Sequence, residues 1–255
     1  MRQAPKRAVL LDAHGTLLEL EPPAPRLVRI LADRHGIAVG ADCARRALNA
    51  EIAYYLAHLQ EGTDAASVAA LRSRCAEELR RALGPDAPAV AGLGAAEMTS
   101  ALLDSLVFRV FPDVRPALRA IRAAGVRAVV VSNWDASLEA VLVELGLRAD
   151  IDAVVSSGAF GAAKPDPAIF AEGLRRAGGE RDEALHVGDR VDEDVAGARA
   201  AGIEPVLLVR PVGDGAGRRL PEEVPVGVRT IGSLGELVGL VGEPVGAPVW
   251  PAPRA

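Results

Sequence analysis

The 255-residue sequence contains only two cysteines, Cys43 and Cys75. Both fall inside predicted helices, so we expect two inert thiols in a reducing compartment and neither a disulfide nor a cysteine-based metal site. No apolar run approaches the roughly 20 residues that a membrane-spanning helix needs. The residues before the first predicted strand leave no room for a signal peptide. We therefore expect a soluble, cytoplasmic protein with no membrane partner.

Negative charge outweighs positive charge, with 34 acidic residues against 29 lysines and arginines. The formal net charge is −5, and neither a basic block nor a stripe of aromatic and basic residues is present, so nucleic acid is not an expected partner. Of the 29 lysines and arginines, only Lys6 and Lys164 are lysines. The strong preference for arginine singles out Lys164, the one lysine in the body of the chain.

The first apolar run, residues 8–11, predicts a strand that is buried on both faces and ends at Asp12. The carboxyl ends of strands are where open α/β sheets bind ligands. Gly15 permits a tight turn after the strand, and Thr16 adds a hydroxyl close to the carboxylate. An aspartate in this place can act as a covalent nucleophile if nearby groups neutralise the developing charge.

The segment from residue 19 to about residue 108 contains no strand-like run. Its apolar residues recur at helical spacing and predict helices at 24–35, 41–61, 64–83 and 95–108. We interpret this segment as a helical module inserted after the first strand.

From residue 111 onward, predicted helices alternate with apolar strands. The helices are expected at 113–124, 136–145, 166–177 and 192–201, and the strands at 126–131, 152–155, 184–187 and 205–209. Such alternation predicts an α/β fold, with a parallel sheet covered by helices on both faces. We expect residues 1–18 and 109–241 to form this core, 19–108 the helical module, and 242–255 a tail rich in proline and glycine.

Polar residues follow three of the later strands, at Ser132-Asn133, at Lys164-Pro165, and from Gly188-Asp189 through Asp194. The sheet would bring them to one edge together with Asp12. The alternative is that Ser132 and Asn133 only cap the following helix. We interpret Asp192 and Glu193 as a solvated first helical turn and His186 as a buried histidine with a satisfied ring.

These sites carry a family resemblance. Asp12-x-His14-Gly15-Thr16-Leu17, Ser132-Asn133, Lys164-Pro165-Asp166-Pro167 and Gly188-Asp189-x-x-x-x-Asp194 resemble, in order and spacing, the four motifs of the haloacid dehalogenase-like hydrolase superfamily. The resemblance covers about residues 7–210 and is to the helical-cap (C1), phosphatase-like subgroup, with residues 19–108 as the cap. It implies a Rossmann-like core, an aspartyl intermediate and Mg²⁺ as the cofactor.

The resemblance also implies a role for each motif residue. Asp12 would be the nucleophile and a Mg²⁺ ligand, together with the backbone carbonyl of His14 and the carboxylate of Asp189, and Asp194 would lie in the second shell or bind through water. Ser132 and Asn133, together with Thr16, would bind the transferring phosphoryl group, and Lys164 would neutralise it and the nucleophile. A hard cation with oxygen ligands lets an aspartate approach a phosphate dianion.

His14 departs from the family pattern, in which phosphatases usually place an aspartate as general acid and base. It is either a substitute acid and base or a spacer of which only the backbone matters. A dehalogenase and a degenerate, non-catalytic binder of phosphorylated ligands therefore stand beside the phosphatase hypothesis. Phosphonate cleavage through a cap lysine is excluded, since residues 19–108 contain no lysine.

The expected substrate is a small phosphorylated metabolite, selected by the inner face of the cap. The candidates on that face are Arg45, Arg46, Tyr54, Tyr55 and His58. Helical geometry does not allow all five to point inward, and a solvated face is the alternative for either arginine.

Overall fold

The computed structural model describes residues 5–210 and 224–241. In chain order its first half comprises β1 (Ala8–Leu11), β2 (Leu18–Leu20), α1 (Pro23–His35), α2 (Ala41–His58), α3 (Ala65–Leu83), α4 (Ala95–Ser105), β3 (Phe108–Val110) and α5 (Val114–Ala123). The second half comprises β4 (Arg127–Ser132), α6 (Leu138–Glu144), β5 (Ala153–Ser156), α7 (Ser157–Phe160), α8 (Pro167–Ala177), β6 (Ala184–Gly188), α9 (Ala196–Ala200), β7 (Glu204–Leu208), β8 (Arg229–Ile231) and α10 (Leu237–Val241).

Six strands form one parallel sheet in the order β5-β4-β1-β6-β7-β8. All four residues of β1 are fully buried, and their side chains alternate between the two apolar layers of the core. In the register, Leu11 lies opposite both Val130 of β4 and Val187 of β6. The chain leaves β1 at the point where the strand order reverses, which is the position of ligand sites in open α/β sheets. The predicted Rossmann-like α/β core is confirmed.

Helices cover both faces of the sheet because each carries an apolar stripe. On one face α5, α6 and α10 pack through residues such as Leu118, Leu142 and Leu237. On the other face α8 and α9 pack through Phe170 and Ala198. The sheet is thereby packed between two apolar layers.

The inserted helices α1 to α4 bury a separate apolar cluster that includes Leu31, Leu48 and Leu79. Cys43 and Cys75 lie in this cluster as free, buried thiols, as predicted. Burial raises the pKa of the Cys75 thiol to about 12, so it stays protonated and unreactive at neutral pH. We propose that residues 1–18 and 109–241 form the core and residues 19–108 the cap. The predicted tail at 242–255 lies outside the described residues.

The prediction that residues 19–108 hold no strand is wrong at its two ends. Here β2 and β3 pair antiparallel, with Leu18 opposite Val110, and join the helical module to the core. Strands of three residues are too short to show a reliable period, and their pairing spans the whole insertion. The strand β8 and the helix α10 were also not predicted, because three and five residues are too few to show a period.

Several helix ends differ from the predicted ones. The helix predicted to reach residue 61 ends at His58 and continues as a 3-10 turn, Leu59–Glu61. The helix predicted at 192–201 begins instead as one π-helical turn, Val191–Val195, before α9. In this turn the amide of Val195 donates to the carbonyl of Arg190 five residues earlier. Within the described ranges, no helix is both long and apolar enough to cross a bilayer.

A second junction ties the helical module to the core close to the end of β4. The carbonyl of Gly62 accepts a hydrogen bond from the amide of Ala136 at 2.8 Å. A Cβ on Gly158 would lie 2.6 Å from that same carbonyl oxygen, so only glycine fits at this approach. The β2–β3 ribbon and this contact therefore both fix the cap to the core.

Candidate active site

Asp12 lies directly after β1, with 6% of its surface exposed. Its Oδ1 accepts hydrogen bonds from the Ser132 hydroxyl at 2.9 Å and from the Lys164 ammonium at 2.6 Å. The structure thus brings three of the predicted site residues together. Ser132 does not cap the following helix, because its hydroxyl donates to Asp12 and α6 has no side-chain cap at its first residue.

Lys164 bridges two carboxylates. Its Nζ donates to Asp12 and, at 2.5 Å, to Asp194, and its side chain is 1% exposed. Burial by itself would lower the pKa of this ammonium, but the two carboxylates raise that pKa above its ordinary value. Lys164, the one lysine in the body of this arginine-rich chain, is therefore a buried, charged counterion of Asp12 and Asp194.

Asp194 is held from three sides. Besides Lys164, its carboxylate contacts His186 Nε2 at 2.9 Å and accepts the backbone amide of Arg190 at 2.9 Å. Burial opposes its charge, but Lys164 and His186 more than offset that effect and lower the pKa of Asp194 below its usual range. A Cβ on Gly188 would lie 2.1 Å from the Asp194 carboxyl carbon, so the strand must end in glycine for the carboxylate to reach this place.

Asp12, Asp189 and Asp194 each place a carboxylate oxygen within 4.8 Å of the others. Gly15 has a φ of 82°, and a Cβ there would lie 2.5 Å from Asp189 Oδ2. The missing side chain thus opens the space in which Asp189 turns toward Asp12. Three carboxylates around one cradle are a donor set that suits a hard divalent cation such as Mg²⁺.

The Asn133 side chain faces Lys164 and Glu193. Its Nδ2 donates to the carbonyl of Lys164 at 2.9 Å and to Glu193 Oε2 at 2.8 Å, and its Oδ1 accepts the amide of Lys164 at 2.7 Å. The expectation that Glu193 is a solvated helical residue is wrong, because the π-helical turn directs its carboxylate back into this network. Asp192, in contrast, is exposed and pairs with Arg190, as expected.

His14 lies at the surface of the site, with its ring 6.4 Å from that of Phe108 in an edge-to-face arrangement. The Phe108 ring in turn lies 5.1 Å from that of Trp134. Thr16 is fully buried, and its hydroxyl has no hydrogen-bond partner within the part of the chain that the structure describes. The rings of Phe108 and Trp134 therefore form an aromatic wall at the mouth of the site, and the Thr16 hydroxyl is buried below it.

The cap candidates separate into two groups. Arg45 and Arg46 pair with Asp42 and Asp86 in exposed ion pairs within the cap, which agrees with the solvated alternative. Tyr54 stacks on His58, whose Nδ1 contacts the Tyr54 carbonyl.

Tyr55 is the candidate that reaches the core. Its hydroxyl donates to Asp135 Oδ2 at 3.3 Å. Burial, together with the negative charge of Asp135, raises the pKa of Tyr55 above its ordinary value.

Sequence reasoning missed Arg210, which supports the loop after Asp12 from behind. Its guanidinium donates to the carbonyl of Thr16 at 2.7 Å and to both carboxylate oxygens of Asp113 at 2.9 Å, and it lies over the Phe111 ring. No local motif announces this contact, since Thr16 and Arg210 are 194 residues apart in the sequence.

Comparison with known proteins agrees with this geometry. A model of the haloacid dehalogenase-like hydrolase family matches residues 6–202, and the chain belongs to this family of hydrolases. The resemblance read from the four motifs is thereby confirmed.

Two curated relatives illustrate the match. A human protein named haloacid dehalogenase-like hydrolase domain-containing protein 3 is 41% identical over 126 residues, which are 49% of this chain and 50% of the human one. A glyceraldehyde 3-phosphate phosphatase from Methanopyrus kandleri is 37% identical over 106 residues, 39% of this chain and 43% of the phosphatase. The aligned parts span about half the length of these relatives or less.

Solved structures share the fold. A phosphatase of the family from Thermococcus onnurineus superposes with a TM-score of 0.60 at 24% identity, covering 94% of this chain and 100% of that one. Dehalogenase structures match the fold at similar identity. The fold therefore does not by itself choose between the two chemistries.

We predict that Lys164→Met lowers the free energy of unfolding by about 3–5 kcal/mol at pH 7, because the buried carboxylates lose their counterion. In the native protein the lowered pKa of Asp194 adds stability that is lost as pH falls below about 4. In the variant, burial without the lysine raises the pKa of Asp194, so stability should increase as pH falls from 7 toward 4. Urea unfolding across this range, with a chelator present, measures both slopes.

Lys6→Met is the matched control, since Lys6 is also buried but donates to the carbonyls of Asp182 and Ala184 and pairs with the partly exposed Glu204 at 3.0 Å. It should cost less and leave the pH dependence unchanged. Equal losses and equal slopes in the two variants would contradict the counterion role of Lys164.

Proposed function

We propose that this hydrolase is a Mg²⁺-dependent phosphatase of small phosphorylated metabolites that works through an aspartyl-phosphate on Asp12. The observation that carries the proposal is the Asp12 carboxylate, held by Ser132 and Lys164 at the end of the central strand and facing two further carboxylates. A nucleophile, a cation and a metal-binding donor set are what phosphoryl transfer requires.

In the first step Asp12 attacks phosphorus. Both observed hydrogen bonds are made to Oδ1, so we assign the attack to Oδ2. The new bond joins this oxygen to phosphorus, the bond from phosphorus to the ester oxygen breaks, and the leaving alcohol takes up a proton. In the second step a water oxygen attacks phosphorus and gives its proton to the group that protonated the alcohol. The bond from Asp12 Oδ2 to phosphorus breaks, inorganic phosphate leaves, and the Asp12 carboxylate is restored.

Charge is managed by residues already in place. Lys164 stays cationic, because its raised pKa keeps it protonated, and it is shared between nucleophile and phosphoryl oxygens. The Ser132 hydroxyl, which donates to Asp12, is positioned to donate to a phosphoryl oxygen instead when substrate is bound. The buried Thr16 hydroxyl, which has no partner in the described structure, is the further donor that we assign to the phosphoryl group.

Mg²⁺ is the cofactor that the three-carboxylate cluster suits. We assign the direct ligands to Asp12, Asp189 and the backbone carbonyl of His14, with Asp194 in the second shell or acting through water. When bound, the ion supplies the positive charge that allows a carboxylate to approach a phosphate dianion.

His14 is the residue that we assign to proton transfer at the leaving group. It is exposed at the mouth of the site and two residues from the nucleophile, and an imidazole can donate and accept protons near neutral pH. In the spacer alternative only its backbone is used.

Two other functions stand behind this one. A dehalogenase does not need a carboxylate cluster for a divalent cation, and this chain has one. A non-catalytic binder of phosphorylated ligands would share the site but show no turnover. The phosphatase names of curated relatives from Methanopyrus and other archaea support the choice of small phosphorylated metabolites as substrates.

We expect Asp12→Asn to abolish hydrolysis of p-nitrophenyl phosphate while the fold stays intact. The amide has nearly the shape of the carboxylate but lacks its charge and nucleophilicity. Steady-state kinetics and circular dichroism test this together. Activity above a tenth of the native rate in a folded variant would rule out covalent catalysis at this residue.

We expect Mg²⁺ to bind at Asp189 and to be required for turnover. Calorimetric titration of the native protein with Mg²⁺ should show one site that Asp189→Ala weakens by at least tenfold, since an outer carboxylate such as Asp192 cannot replace it. Asp192→Ala serves as the matched control. Unchanged Mg²⁺ affinity in Asp189→Ala would remove this aspartate from the ligand set.

The role of His14 can be tested by comparing two substrates whose leaving groups differ in their need for a proton. Loss of a general acid should cost about 10²–10⁴-fold with an alkyl phosphate and much less with p-nitrophenyl phosphate, whose phenolate leaves without a proton. Kinetics of His14→Ala on both substrates make the comparison, with His14→Asp as the variant expected to restore or exceed the native rate. Equal effects on both substrates would support the spacer alternative.

A further inference from the structure

The amide of Asn133 is fully occupied by the protein. Each of its two N–H groups has an acceptor, the Lys164 carbonyl and the Glu193 carboxylate, and its oxygen has a donor, the Lys164 amide. The orientation of the amide follows from this network, because a backbone N–H requires the oxygen and a carbonyl requires the nitrogen. No hydrogen of this side chain remains to be donated to a substrate.

The two bonds to Lys164 form a two-point clamp on its backbone. Lysine has a flexible four-carbon stem, so its ammonium can be held in one place only if its own backbone is fixed. The loop before α8 has no strand partners at Lys164, and the Asn133 amide supplies both a donor and an acceptor there. At the far end of the same side chain, Nζ lies 2.6 Å from the nucleophile.

Glu193 completes the clamp. Its Oε2 accepts the second N–H of Asn133, and its Oε1 lies 3.2 Å from Arg190 Nε. Arg190 is anchored in turn, since its backbone amide donates to Asp194. The π-helical turn at Val191–Val195 thus carries both Glu193, which accepts from Asn133, and Asp194, which accepts from Lys164.

We propose that Asn133 and Glu193 are positioning residues that fix Lys164 against Asp12, and that the Asn133 side chain does not bind the phosphoryl group. The proposal rests on the phosphatase function and changes the role that the family resemblance implied for Asn133. To bind a phosphoryl oxygen, the Asn133 amide would have to give up one of its two hydrogen bonds as donor. The Lys164 carbonyl or the Glu193 carboxylate would then be left without that donor.

The clamp can be tested without any turnover. Hydrogen exchange of the Lys164 backbone amide, followed by NMR, should be faster in Asn133→Ala than in the native protein, because this amide loses its acceptor. Glu193→Gln keeps an acceptor oxygen for Asn133 and should leave the exchange rate close to native. Unchanged protection of the Lys164 amide in Asn133→Ala would overturn the clamp.

The functional part is tested by a double-mutant cycle that uses inorganic phosphate, in the presence of Mg²⁺, as the calorimetric probe. Asn133→Ala should weaken phosphate binding by about 10–100-fold in the native background, as loss of a supporting hydrogen bond typically does. It should have almost no further effect in Lys164→Met. Equal weakening in both backgrounds would show direct contact with phosphate and overturn the proposal.

Matched variants separate the clamp from general damage. Glu193→Ala should lower kcat with p-nitrophenyl phosphate, Glu193→Gln should restore it to within about threefold of native, and Asp192→Ala, which also pairs with Arg190, should leave it unchanged. A Glu193→Gln variant as impaired as Glu193→Ala would contradict the role of the accepted hydrogen bond. Native protein that neither hydrolyses the ester nor binds phosphate would refute the phosphatase function, while the exchange experiment would still decide the clamp.

Discussion

The buried ammonium of Lys164 is the interaction on which the rest of the site depends. Asp12 and Asp194 are carboxylates with almost no solvent contact, and burying them without a counterion would cost several kcal/mol for each. Lys164 offsets the cost of burying them and helps to lower the pKa of Asp194 below its usual range. An arginine would not fit in the same way, since its planar guanidinium is larger and holds five donors in a rigid fork, whereas the compact Lys164 ammonium bonds one oxygen of each carboxylate.

The same crowding explains the glycines around the site. The Asp189 carboxylate lies where a Gly15 side chain would be, and the Asp194 carboxylate lies where a Gly188 side chain would be. Three carboxylates meet only because two positions, one in the turn after β1 and one at the end of β6, carry no Cβ. The position of β1 between β4 and β6 then sets the nucleophile in the middle of the other functional groups.

The helical module is tied to this centre at two points, and both are close to the site. The β2–β3 ribbon carries Phe108, which contacts the His14 ring, and the Gly62 contact adjoins the segment that follows Ser132. Tyr55 adds a hydrogen bond to Asp135 from the cap side. The Phe108 and Trp134 rings and Tyr55 therefore lie on the cap side of the site, whereas Arg45 and Arg46 are engaged in exposed ion pairs elsewhere on the cap.

The parallel α/β core, the helical insertion and the grouping of Asp12, Ser132, Lys164, Asp189 and Asp194 at one edge of the sheet could be predicted from the sequence. This was possible because buried strands are continuous apolar runs, helices have a strong period, and the residues at strand ends meet at one edge of the sheet. The contacts that these residues make became visible only in the folded chain. The clamp of Asn133 on Lys164, the inward turn of Glu193, the β2–β3 ribbon and the support of Thr16 by Arg210 all join residues far apart in the chain. Such contacts depend on close packing and on the hydrogen-bond needs of buried groups, which no local pattern records.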